Sequence, residues 1–217
     1  MKVEYMLVDE IEAAAAATLD SYGRRFGEVV GPPVPVEEIL ECDLELDFGL
    51  EDLRAAFGTD ALGALWAGER RVRVDASLDP TLFPEKEGRY RFTVGHEIGH
   101  WQLHRHLFVA DANQGSLFDA SLEPSVVCRT GSGKPPIEWQ ADAFSSRLLM
   151  PKEMLTRVWA EAKARHATVS RTARQHNSIG AMAGRMAQVF GVSVQAMRIR
   201  LVELGLMVDH EGARLFR

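Results

Sequence analysis

Residues 91–106, RFTVGHEIGHWQLHRH, hold four of the seven histidines in the chain: His96, His100, His104 and His106. His96-Glu97-Ile98-Gly99-His100 forms an HExxH pattern. On an α-helix, residues four apart stand one above the other on one face. Two imidazoles so placed can reach a single zinc ion. Glu97, one step round, points at the same pocket and can take a proton from water. A catalytic zinc ion takes three protein ligands and keeps a fourth position for water. Two histidines are not enough, so the chain has to bring another element to this helix. The competing reading is a helix with two surface histidines and a solvated glutamate.

Three residues compete for the third position. His104 lies about 12 Å beyond His96 along the axis, at about 1.5 Å per residue, and is out of reach while the helix is unbroken. His106 stands where HExxHxxGxxH metalloproteases place a third histidine. The glycine that turns the chain back in that pattern is Leu103 here, so His106 continues round the helix. Glu138 is the better candidate. EWQAD sets Glu138 and Asp142 four apart on a later helix, facing the same way. This is the ExxxD arrangement of zinc peptidases whose first acid binds metal and whose second accepts the outer N–H of a ligand histidine. Asp142 would serve His96 in the first instance, although spacing alone does not choose between the two rings. A solvated helix face is the competing reading for the acid pair.

Periodicity supplies the surroundings. Ile11, Ala14, Ala15, Thr18, Leu19 and Tyr22 predict a first helix over about 9–26. GPPVPVEEIL gives a rigid turn and a short helix start. CDLELDF alternates Leu44, Leu46 and Phe48 on one side and predicts a strand. ALWAGERRVRVDASL reads as two strands joined at Ala67-Gly68-Glu69, with Val72 and Val74 on one face. The HExxH helix is expected over about 92–106. A long excursion over 109–136 follows, with Gly115, Gly131 and Gly133, and Ser125–Cys128 reads as a short strand within it. After Pro135-Pro136 the Glu138 helix runs to Met150, because the residue before Pro151 is pushed out of helical conformation. Pro151 opens a further helix with Leu155, Val158, Trp159 and Ala162 on its apolar stripe. SRTARQHNS, residues 170–178, is a polar connector.

The tail, residues 179–207, reads as helix, tight turn at Gly191-Val192-Ser193, helix. MAQVFGVSVQAMRIRL fits a helix-turn-helix: Ala187 is the small residue, Gly191 makes the turn, and Val192 and Met197 are core. Ser193, Gln195, Arg198 and Arg200 would then meet a groove or another protein. Five arginines against three acids over 178–217 is little charge for a duplex binder. Packing or partner docking is therefore favoured over DNA readout.

Composition excludes several classes. Residues 1–60 carry four Lys/Arg against fifteen Asp/Glu, which argues against a general nucleic-acid binder; residues 151–217 carry eleven against five. The N-terminus has no basic region and reads as an amphipathic helix, not a signal peptide. No stretch approaches the ~18 apolar residues of a membrane span. Cys42 and Cys128 suggest neither a disulfide framework nor a cysteine-rich zinc cluster. A soluble, cytoplasmic protein is expected.

The two motifs with their surroundings resemble the ImmA/IrrE family of metallo-endopeptidases. RFTVGHEIGHWQLH is similar to that family's active-site helix, and IEWQADAFSSRLLMP to its glutamate helix. PPVPVEEIL, RVRVDASL and FGVSVQAMRIRLVELGLM are similar to it as well, so the resemblance covers about residues 30–207. It implies an α+β fold, with a zincin-like core over 1–175 and a helix-turn-helix-like segment over 176–217. By resemblance, His96, His100 and Glu138 hold zinc and Glu97 is the general base. Asp142 stands behind a ligand histidine, and His104, Tyr90 and Arg129 are the candidate donors to the tetrahedral oxyanion. Ligands of nitrogen and oxygen admit Mn²⁺ as well as Zn²⁺. Better-known members cleave a helix-turn-helix repressor and relieve transcriptional repression, so a protein substrate of that kind is expected here. The alternative is a non-catalytic anti-repressor or DNA-binding regulator. The intact His96, Glu97, His100 and Glu138 favour the enzyme.

Overall fold

The computed structural model describes residues 3–112, 123–129, 135–169 and 179–208. The connector over 170–178 and the glycines at 115, 131 and 133 lie outside the described residues. Helix α1 (Val8–Phe26) buries Ile11, Ala15, Thr18 and Tyr22, the stripe that its sequence predicts. Asp9 and Glu10 in its first turn and Arg24 and Arg25 in its last complement the helix dipole.

The next segment differs from its sequence pattern. Helix α2 (Val36–Glu38) continues as a wider turn over Ile39–Asp43 instead of giving way to a strand. Leu44 N–H donates to Ile39 O, and Leu46 N–H donates to Leu40 O, so the chain is still coiled where Leu44 and Leu46 alternate. Burial of Ile39 and Leu40 holds that coil. Glu45 then takes a left-handed φ of 53°, and extended backbone begins only at β1 (Asp47–Glu51).

Helix α3 (Leu53–Phe57) is capped by Asp52, which accepts from Ala55 N–H at 3.0 Å. Strands β2 (Ala61–Trp66) and β3 (Arg71–Asp75) flank the turn at Ala67–Glu69, with Val72 and Val74 buried as expected. Helix α4 (Glu87–Ala112) carries the HExxH motif and extends beyond the predicted range at both ends. Strand β4 (Val126–Arg129) lies one residue later than its sequence suggests. The sheet order is β1-β3-β2-β4, with β1 parallel to β3 and the other pairs antiparallel. Strand β2 is buried along its whole length. Leu53, Phe57 and Val127 pack with Ala61, Ala64 and Trp66, while Thr93 and Glu97 of α4 lie against Gly63.

Helix α5 (Pro136–Leu149) starts on Pro136, whose missing N–H costs nothing in a first turn. It ends at Met150 with φ −130°, ahead of Pro151. Helix α6 (Lys152–Val169) follows and buries Leu155 and Trp159. Helices α7 (Ile179–Phe190) and α8 (Val194–Glu203) flank Gly191, at φ 61°, and Ser193 caps α8 by accepting from Ala196 N–H. Met182, Met186, Phe190, Met197 and Leu201 belong to the same hydrophobic cluster as Val94, Ile98 and Phe144. The backbone of Val192 and Ser193 lies against Gly88 in the first turn of α4. The molecule is an α+β fold in which α4, the helix carrying HExxH, packs on a small sheet. Among the described residues, no helix is long and apolar enough to cross a membrane.

One tail residue departs from expectation. Arg200 does not face a groove; it is 1% exposed and is the largest fully buried side chain among the described residues. Its Nη2 donates to both oxygens of Glu12, at 2.6 and 2.7 Å, and its Nε donates to Met150 O at 3.3 Å. A guanidinium is buried here because both oxygens of a carboxylate accept from its Nη2. Arg147, also buried, approaches the same Glu12 at 3.4 Å, and Glu203 lies 3.5 Å from both arginines. Glu12 thus ties α1 to α5 and α8. Glu12→Ala strips two buried guanidiniums of their nearest carboxylate and is expected to lower the unfolding free energy by about 3 kcal/mol. The exposed Asp20→Ala on the same helix should stay within about 0.5 kcal/mol in the same urea titration.

Candidate metal centre

The site is made by the close approach of α4 and α5. Gly95 and Gly99 lie on the face of α4 that meets α5. A Cβ on Gly99 would stand 3.1 Å from Ala141 backbone atoms, and one on Gly95 would stand 2.6 Å from Ser145 Oγ. Two absent side chains let the helices touch backbone to backbone. That contact puts Glu138, in the first turn of α5, over the two histidines.

Glu138 Oε2 lies 3.2 Å from His96 Nε2, and Glu138 Oε1 lies 3.1 Å from His100 Nε2. The two Nε2 atoms are 2.9 Å apart. Ligand atoms about 2.0–2.1 Å from one tetrahedral ion stand about 3.3 Å from each other. The observed spacing is close to that, and His96, His100 and Glu138 form one of the groups of ligand atoms close enough to share an ion. The donor set fits a divalent metal.

A further layer fixes the rings. Asp142 Oδ1 lies 2.9 Å from His96 Nδ1. This is the ring expected in the first instance, which spacing alone did not choose. His104, on the unbroken helix α4, places its Nδ1 3.1 Å from His100 Nδ1 and its Nε2 2.8 Å from Gln140 Oε1. Gln140 Nε2 donates to Glu4 O at 2.8 Å. Each of the two rings, His96 and His100, therefore has an outer partner that sets its orientation. His106 is exposed on the far side of the helix.

Glu97 is 0% exposed, and neither carboxylate oxygen has a hydrogen-bond partner among the described residues. Its place is made by Gly63, where a Cβ would collide with Glu97 Oε1. Burial pushes the Glu97 carboxyl up to about 8, against the opposing pull of His96. Burial also pushes His100 down to about 4 and lowers His104. At His96 burial is outweighed by Cys128, Asp142 and Glu138, and its proton is held well above the ordinary range. Burial is outweighed at Glu138 as well, where hydrogen bonds from His100 and His96 hold the carboxyl low.

The family model for the IrrE N-terminal-like domain, a peptidase family, matches residues 70–202. The chain belongs to this family. The matched stretch runs from the start of β3 through both motif helices and nearly all of α8. The IrrE-like chain is thus a metallopeptidase-type domain with His96, His100 and Glu138 drawn together at its centre. No curated protein matches it.

The three candidate oxyanion donors lie in different places in this IrrE-like domain. His104 is buried behind His100, with both ring nitrogens engaged. Tyr90 bonds Glu37, and burial with that bond raises its hydroxyl far above its ordinary range. Arg129 Nη1 donates to Asp60 Oδ1 at 2.6 Å and to Phe57 O at 2.9 Å. Sequence reasoning did not find Cys128, which lies beside His96 and Glu97, or Gln140, which lies behind His104. No spacing rule links an edge strand or a helix N-terminus to the motif; only the pairing of β4 with β2 and of α5 with α4 does.

The raised carboxyl of Glu97 sets the sign of a pH effect. Between its ordinary 4.5 and about 8, the folded chain keeps a proton that the unfolded chain has released. Stability from this group is full below 4.5 and is lost as pH rises through that window. In chelator-treated protein, Glu97→Gln should therefore be more stable than wild type. The gain should be near zero below about pH 4.5 and reach on the order of 4 kcal/mol above about pH 8, read from urea unfolding across pH.

Proposed function

We propose that the protein is a cytoplasmic, zinc-dependent endopeptidase that hydrolyses a helix-turn-helix transcriptional repressor and so relieves repression. The reading is carried by one observation: a buried carboxylate without a partner among the described residues stands beside three converging side chains. An unpaired carboxylate in a buried pocket is costly to keep, and a general base waiting for water explains its retention. In this reading His96, His100 and Glu138 hold the metal, with Mn²⁺ as the alternative to Zn²⁺. When bound, a divalent cation supplies Lewis-acid polarisation of the scissile carbonyl and acidifies water.

The remaining work falls to the chain. Glu97 accepts the proton of the attacking water and returns it to the leaving amine; a carboxyl raised to about 8 suits both acts near neutral pH. Asp142 orients His96 and favours the tautomer whose Nε2 faces the pocket. The choice of a repressor as substrate rests on the resemblance of both motif helices to repressor-cleaving peptidases. Burial of Arg200 leaves the tail with one fewer cation for a duplex and favours a scaffold role.

The test compares wild type with Glu97→Gln against the repressor encoded beside the gene. Wild type should cut it. The variant should retain its metal and be slower by about 10²–10⁴-fold. Equal relief of repression by both proteins would contradict hydrolysis and indicate sequestration.

A further inference from the structure

Cys128 is 4% exposed on β4, whereas Cys42 is exposed on the surface. In the sheet register Cys128 faces Gly63, the residue whose missing Cβ makes room for Glu97. The pairing of β4 with β2 therefore delivers a thiol to the same pocket that α4 and α5 fill with imidazoles and carboxylates. Cys128 Sγ, a ring nitrogen of His96 and a carboxylate oxygen of Glu97 all lie within 4.8 Å of one another. His96 is common to this group and to that of His96, His100 and Glu138. Both Glu97 oxygens are buried and unpaired beside it, so the space between them is polar and unsatisfied.

We propose that Cys128 is a fourth protein ligand of this centre and closes the coordination position that a hydrolytic site leaves to water. The inference rests on the metal reading of His96, His100 and Glu138 given above. A soft thiolate is a strong ligand for zinc, and a thiol that coordinates a divalent cation gives up its proton. On ligation the Sγ–H bond breaks, an Sγ–metal bond forms, and the proton leaves to solvent; no electrons are transferred. Two histidines, one glutamate and one cysteine make a four-ligand site, the arrangement of closed zinc centres. The resting enzyme is then latent, and water has to replace the thiolate before hydrolysis begins.

Cobalt(II) reports this directly. The probe is the full chain carrying Cys42→Ser, stripped of metal and loaded with Co²⁺. Visible d–d bands together with a near-ultraviolet sulfur-to-cobalt charge-transfer band are expected. Adding Cys128→Ser should abolish the charge-transfer band and keep the d–d bands. Bands in the visible without any charge transfer in the Cys42→Ser protein would overturn the cysteine ligand and leave the metal centre standing. Absence of both would overturn the two together. A second measurement needs no change at Cys128. In wild-type protein, Zn²⁺ should slow alkylation of Cys128 by about tenfold or more and leave Cys42 unaffected, because only a free thiolate reacts. Equal rates at Cys128 with and without Zn²⁺ would contradict the ligand.

Discussion

The structure depends on the meeting of Glu138 with His96 and His100. Each of these side chains is costly to bury alone, and the three can be buried together because their charges and lone pairs answer one another. What permits the meeting is an absence of side chains. Gly95 and Gly99 open one face of α4, and Ala141 and Ser145 of α5 settle against it. A larger residue at either glycine would hold the helices apart and lift Glu138 away from the imidazoles. Packing of small residues and placement of ligands are thus one constraint.

A second absence makes room for Glu97. Gly63 clears the floor beneath Glu97, so β2 can pass under α4 with no side chain between strand and carboxylate. The strand is buried along its whole length. Burial raises Glu97 toward neutrality and pushes His100 down, so one physical cause acts on both groups. Outer partners supply direction: Asp142 for His96, and the chain of His104, Gln140 and Glu4 for His100. Through Glu4 the segment before α1 is tied by way of Gln140 and His104 to the ring of His100. Tyr5, stacked on Trp139, fastens that segment to α5.

Much of this was legible in the residues, because the informative features are local. The four-residue spacings of His96 with His100 and of Glu138 with Asp142 fix which side chains share a face. Pro136, Pro151 and Gly191 mark boundaries through backbone geometry alone. The misreadings have a common cause in contacts distant along the chain. Leu44, Leu46 and Phe48 alternate like a strand, yet burial of Ile39 and Leu40 keeps the first two in a coil. Arg200 reads as a surface cation until Glu12, 188 positions earlier, is known to lie against it. Cys128 carries no motif at all; its place follows from the register of β4 on β2. Periodicity reports faces, and only the assembled fold reports which faces meet.

The central claim is that His96, His100 and Glu138 share one divalent ion. Anomalous diffraction at the zinc absorption edge from Zn²⁺-loaded crystals tests it most directly. The account predicts a single strong peak about 2.0–2.2 Å from both Nε2 atoms and from a Glu138 oxygen. No peak at that point, or a zinc ion bound on the surface while Glu138 turns outward, would contradict it.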